Sequence, residues 1–152
     1  MKVRFEVEDG LQEDEVVIRC SKIRQEHLDI QDLIEEKNKE TLHLEFHNQG
    51  KQYYLSLDTI LFFESLGDGV VAQTKETQYQ VKLRLYELEE KLPSYFKRIS
   101  KSAIVNMDKI YSINRDLTSS SSVEFLGTGK KAYVSRNYYK ELKASLNKKR
   151  RK

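Results

Sequence analysis

The 152-residue chain is 38% hydrophobic and 34% charged, which supports one folded domain with a small extension and excludes a disordered polymer. Its single cysteine, Cys20, excludes an intramolecular disulfide framework, and no apolar run suits a membrane-spanning helix or a signal peptide, so a cytoplasmic protein is expected. The net charge of +3 conceals a division: residues 1–50 hold 7 Lys/Arg against 13 Asp/Glu, and the rest hold 20 against 11, as if one part faces a polyanion and the other faces something else.

In chain order, KVRFEVE at residues 2–8 alternates, with Val3, Phe5 and Val7 on one side, which predicts a half-buried strand. Asp9-Gly10 predicts a turn, and Glu15 to Cys20 a second strand in which Cys20 is a small buried residue. Ser21 is placed to cap a helix over Lys22–Lys39. Thereafter the predicted elements are short strands. LHLEFH and Gln52–Ser56 form a hairpin around Asn48-Gln49-Gly50; Thr59–Ser65 and Val70–Thr74 flank Gly67-Asp68-Gly69, and Gln78–Lys82 follows. Leu85, Leu88 and Leu92 share a face of a helix over Arg84–Leu92 that ends before Pro93.

Phe96–Ile99 and Ser102–Asn106 are apolar segments interrupted by Ser100-Lys101. Strands are predicted at Lys109–Asn114, Ser122–Leu126 and Lys131–Ser135, with a loop at Ser119–Ser122 and a closing helix at Tyr138–Leu146. The fold class is mainly β (α+β): short antiparallel sheets with two helices, preceded by a strand-strand-helix extension. The domains expected are an acidic unit at 1–40, a main domain at 41–147 and a basic tail at 148–152.

Three polar or basic points fall at strand ends in the basic part: Gly67-Asp68-Gly69, Arg98 with Ser100-Lys101-Ser102, and Ser135-Arg136-Asn137. Arg, Lys, Asn and Ser are the side chains that meet phosphates and base edges, and loops held by a sheet tolerate such chemistry. Arg98 also has a plainer reading, as a stem shielding apolar surface. Arg136 could pair with an acidic helix, Lys101 could be a solvated turn lysine, and Asn106 reads better as satisfying local backbone than as reading a base.

Phe62-Phe63-Glu64-Ser65, Leu85 to Leu92, FKRISKSAIVN at 96–106 and Val134-Ser135-Arg136-Asn137-Tyr138 resemble, in order and spacing, the LytTR family of DNA-binding domains. The resemblance runs from about Tyr53 to Leu146 and implies a transcription regulator that sets loops of a β scaffold into successive major grooves. By position it assigns contacts to Lys101 and Arg136, with Asn137 beside the latter and Arg98, Ser100 and Ser102 around the former. The first family contact falls on Leu66-Gly67-Asp68-Gly69, which lacks the basic or histidine side chain some members carry and offers backbone amides at Gly67 and Gly69 instead. The partners implied are double-stranded DNA and a second copy as homodimer, with a small membrane protein as a regulatory partner of the kind similar short regulators accompany. No cofactor and no small-molecule substrate are expected. The alternative is a protein-interaction adaptor that has lost specific DNA binding.

No receiver domain fits in 40 residues, so the acidic unit is expected to pair with a second copy or bind a regulatory protein. His43, Glu45 and His47 share a strand face, a pattern that alternation explains without a metal. The sequence has no glycine loop followed by Lys-Ser/Thr, no nucleophile elbow and no paired zinc-ligand motif, and no enzyme is expected.

Overall fold

A strand with apolar residues on both faces belongs in the middle of a sheet, and two segments of this chain are of that kind. In the computed structural model they become β3 (Phe62–Leu66) and β7 (Ala103–Asn106), paired antiparallel with Phe63 opposite Ile104. The structure describes residues 1–40, 44–116 and 120–150, and only the backbone of residues 39, 40, 149 and 150. It divides into two compact units, 1–37 and 38–152.

The first unit departs from its predicted form. Residues 1–24 adopt no strand, and Phe5 and Val7 are each 93% exposed. Alternation alone does not make a hairpin: two short strands with no third strand or helix beneath them bury too little to offset the entropy of ordering. Cys20, expected to be buried, is exposed for the same reason. Helix α1 (Gln25–Glu40) starts four residues after the predicted cap Ser21. Its first turn is closed by His27 Nδ1, which accepts from the Arg24 amide at 3.0 Å, and Gln25–Asp29 and Gln31–Glu35 bonds lace its polar face.

In the second unit, the described residues form two antiparallel sheets. The larger one also contains β1 (Phe46–Asn48), β2 (Lys51–Tyr53), β4 (Gly69–Gln73), β5 (Gln78–Val81) and β6 (Phe96–Ser100), in the order β2-β1-β5-β4-β3-β7-β6. The smaller one is β10 (Lys131–Val134), β9 (Ser121–Phe125) and β8 (Ile110–Asn114). Two tight hairpins are set by glycine: Gly50 (φ 77°) follows Gln49 (φ 50°) between β1 and β2, and Gly67 (φ 59°) opens the turn joining Leu66 to Gly69.

The pleat sends neighbouring residues to opposite cores. Phe63, Ile104 and Phe96 pack with Leu85 and Leu88 of helix α2 (Leu85–Lys91). Phe62, Ala103 and Val105 pack with Val123, Phe125, Val134 and Leu142, the last on helix α3 (Arg136–Arg150). Tyr138, Leu142 and Leu146 form the inner face of α3 at helical spacing. That helix is longer than predicted and continues into the basic run, since Lys and Arg are good helix formers and suit a helix C-terminus.

One lysine that pattern reasoning passed over ties the sheets together. Lys130, in the β9–β10 connection, donates from Nζ to Thr74 O (2.6 Å), Gln73 Oε1 (3.0 Å) and Thr77 O (3.2 Å) at the β4–β5 turn. Gln73 in turn donates to Glu64 and Gln78, each at 2.9 Å. Burial holds the Lys130 ammonium below the usual lysine pKa, with Glu76 and Glu64 pulling it back up. Lys130→Met keeps the stem but strands these acceptors, and is expected to cost about 1–2 kcal/mol. A urea midpoint unchanged from wild type would contradict this.

Candidate nucleic-acid interface

Three strand ends meet at one end of the larger sheet. The β3–β4 turn is Gly67-Asp68; the β6–β7 turn is Lys101-Ser102; and Ser135 leads from β10 into α3. Two backbone hydrogen bonds hold them side by side: Ser65 N donates to Ser102 O, and Ser135 N donates to Ile99 O, each at 2.9 Å. The residues singled out at 67–69, 98–102 and 135–137 are therefore brought together although they are spread over residues 67 to 137 of the chain.

Two of the turns are fixed from below by buried apolar residues. Ile99 and Val134 lie in the core that also receives Leu142, so the starts of α3 and of the 100–102 turn share one foundation. Ser135 O accepts from the Tyr138 and Tyr139 amides at 3.1 and 3.0 Å and closes the first turn of α3. Ser100 Oγ accepts from the Ser102 amide at 3.1 Å and lies 3.2 Å from Ser102 Oγ. A shallow cleft of about 210 Å³ runs between the turns, lined by Glu64, Ser100, Ser102, Lys131, Tyr133 and Ser135 among others.

The charged and polar side chains fall into two groups. Lys101, Arg136 and Asn137 are exposed, and no ion pair or hydrogen bond among the described residues engages their side chains. Arg98 is turned inward instead. Its guanidinium donates to Ser100 O and Lys101 O at 2.6 Å each, and to Glu89 Oε2 at 2.9 Å. Glu89, on α2, was not singled out in the sequence, because no local pattern links it to a residue nine positions later. Asp68 is exposed at the tip of the first turn and places a negative charge there, while Gly67 and Gly69 are exposed beside it.

Asn106, read as a backbone partner, is one: fully buried, it donates from Nδ2 to Ile60 O at 2.9 Å and accepts from the Asp108 amide at 3.0 Å. Of the histidine-bearing strand, His43 lies outside the described residues, as do Thr41 and Leu42. His47 Nε2 is 3.4 Å from Glu45 Oε2, which also faces Lys82 at 3.7 Å. No group of three or more potential metal ligands occurs among the described residues. Ser119, at the predicted 119–122 loop, and Arg151 and Lys152 of the basic run also lie outside them. No helix among the described residues is long and apolar enough to cross a membrane.

Residues 50–147 match the family model of the LytTr DNA-binding domain. Uncharacterized HTH-type transcriptional regulators of Staphylococcus aureus, from strain COL and from bovine strain RF122 / ET3-1, are each 35% identical over 97 residues. That match takes in 62% of this chain and 64% of each relative, so it spans just under two thirds of their length. A solved LytTr DNA-binding domain from Bacillus cereus superposes with a TM-score of 0.63 at 21% identity, covering 69% of this chain and 97% of its own, and shares the fold. Helix-turn-helix appears in the relatives' names, whereas in this chain five strands among the described residues lie between α2 and α3.

Proposed function

The chain belongs to the LytTR family of DNA-binding domains, and from that membership we propose that it regulates transcription by binding a short duplex site with the three converging turns. The observation that carries the reading is the pair of backbone bonds, Ser65 N to Ser102 O and Ser135 N to Ile99 O, that set Lys101 and Arg136 on adjoining turns with their charges exposed. Lys101 supplies a point charge to a phosphate or to guanine. Arg136 and Asn137 suit base edges in the major groove, since the guanidinium fork matches two guanine acceptors. Ser100 and Ser102 serve backbone oxygens, and the amides of Gly67 and Gly69 approach a phosphate beside the acidic Asp68.

In this reading the protein is cytoplasmic and works as a homodimer on paired half-sites. Its acidic residues 1–40 face a second copy or a regulatory protein, such as a membrane partner, because their negative balance opposes DNA contact. Sedimentation with and without a two-site duplex, using the full chain and a 41–152 truncation, measures the pairing. A monomer in every condition would contradict it.

Anisotropy with promoter fragments and random competitor at modest salt separates a regulator from an adaptor. A preference for particular fragments supports the regulator, and none favours the adaptor. Removing residues 148–152 is expected to lower affinity for every duplex alike and to flatten the salt dependence. An unchanged salt slope would take the basic run out of the interface.

A further inference from the structure

We propose that Arg98, held by Glu89, is a positioning residue that fixes the turn carrying Lys101, and is not itself a DNA contact. This rests on the reading of residues 100–102 as part of the DNA-binding surface. The starting point is an irregularity in the sheet. The β6–β7 register shifts between Arg98 and Ser100, so Ile99 bulges into the core and sends its carbonyl to the Ser135 amide. Beyond this shift only Ser100 still pairs, with Ala103, and Lys101 lies in the turn, where no ladder partner dictates the direction of its carbonyl.

Arg98 takes over that task. Nε reaches Ser100 O and Nη2 reaches Lys101 O, so one planar group spans two successive carbonyls of the turn. Nη1 is meanwhile drawn to Glu89, and the Arg98 side chain is only 16% exposed. A guanidinium can make all three bonds at once because its donors diverge from a rigid fork. A lysine ammonium is a single point and cannot bridge both carbonyls and the carboxylate in this arrangement. Glu89 neutralises the charge and anchors the fork to α2, whose Leu85 and Leu88 are buried in the core. The cation left facing outward is Lys101, whose own carbonyl Arg98 holds.

The two roles for Arg98 predict opposite signs for changes at Glu89. Were Arg98 a phosphate contact, Glu89→Ala would free it and remove a repulsive charge, and DNA affinity would rise. As a positioning pair, loss of Glu89 loosens the turn and specific affinity falls, although the protein has become more positive. Glu89 is half exposed, with a side chain 52% accessible, so its variants carry the test even if an Arg98 variant folds poorly.

Full-length Arg98→Lys, Arg98→Ala, Glu89→Ala and Glu89→Gln are compared with wild type by anisotropy on a selected duplex and on random duplex across a salt series, with thermal melts alongside. Lys101→Ala and Arg136→Ala serve as surface controls. Arg98→Lys is expected to bind the selected duplex about tenfold more weakly, like Arg98→Ala, with random-duplex affinity and salt slope unchanged. Glu89→Ala should lose about threefold or more, and Glu89→Gln, which keeps an acceptor, should recover most of that. Tighter binding by Glu89→Ala, wild-type affinity in Arg98→Lys, or a salt slope reduced by about one in Arg98→Ala would overturn the positioning role. If the two controls lose specific binding while that happens, the DNA-reading surface stands and the positioning role alone fails. If the controls also bind as wild type, the surface assignment falls and the positioning role with it.

Discussion

Replacing Arg136 with alanine is expected to weaken binding to the specific duplex by about 1–3 kcal/mol while leaving affinity for random DNA nearly unchanged. The size follows from preorganisation. Arg136 is the first residue of α3, immediately after Ser135, whose amide is tied to Ile99 O at 2.9 Å. On one side of it Val134 is buried, and on the other Leu142 anchors the helix in the same core. The backbone under the side chain is thus fixed before DNA arrives, and little ordering cost is charged against the contact. A bidentate contact depends on fork geometry as well as charge. Arg136→Lys should therefore likewise keep random-DNA affinity and leave most of the discrimination lost. Equal weakening on specific and random duplexes would show that Arg136 meets only phosphate.

The largest stability effect is expected at Asn106. Its side chain is fully buried and joins two segments far apart in sequence, with Nδ2 on Ile60 O and Oδ1 on the Asp108 amide, while its own amide donates to Leu61 O. Loss of the carboxamide removes the partners of a buried carbonyl and a part-buried amide at once. We expect Asn106→Ala to cost about 2–4 kcal/mol. Asn106→Leu, close in volume, tests the cause. A comparable loss in both variants assigns it to the orphaned polar groups, whereas near-normal stability in the leucine variant would assign it to the cavity. Urea unfolding measures both, and a loss below about 0.5 kcal/mol in each would contradict the account.

What could be read in advance was what depends on near neighbours. Gln49-Gly50 and Gly67-Asp68 announce tight hairpins because few residues tolerate a left-handed backbone, and the structure places turns at both. Leu85 and Leu88 announce α2 through spacing. The three polar turns stood out by residue type, and the resemblance supplied the order in which they belong together.

What could not be read depends on partners distant in sequence or missing from it. Val3, Phe5 and Val7 alternate like a strand, yet a strand exists only with a neighbour, and these side chains are exposed. For Arg98 the charge is legible in the sequence and the counter-charge is not: Glu89 sits on a helix whose docking decides the pairing. Lys130 likewise gave no local sign, since its three acceptors lie more than 50 residues earlier. The basic run read as a tail because charge density hides helix propensity, whereas α3 continues through Lys148 to Arg150.

We propose that Lys101 and Arg136, on converging turns, read DNA sequence, with the Gly67 turn positioned on the DNA backbone. Selection of duplexes bound by the full chain from a random pool, at modest salt, tests it most directly. Enrichment of one short motif is expected, lost from the pool selected by Arg136→Ala. Recovery of an unenriched pool by the wild-type protein, or of the same motif by the variant, would contradict it.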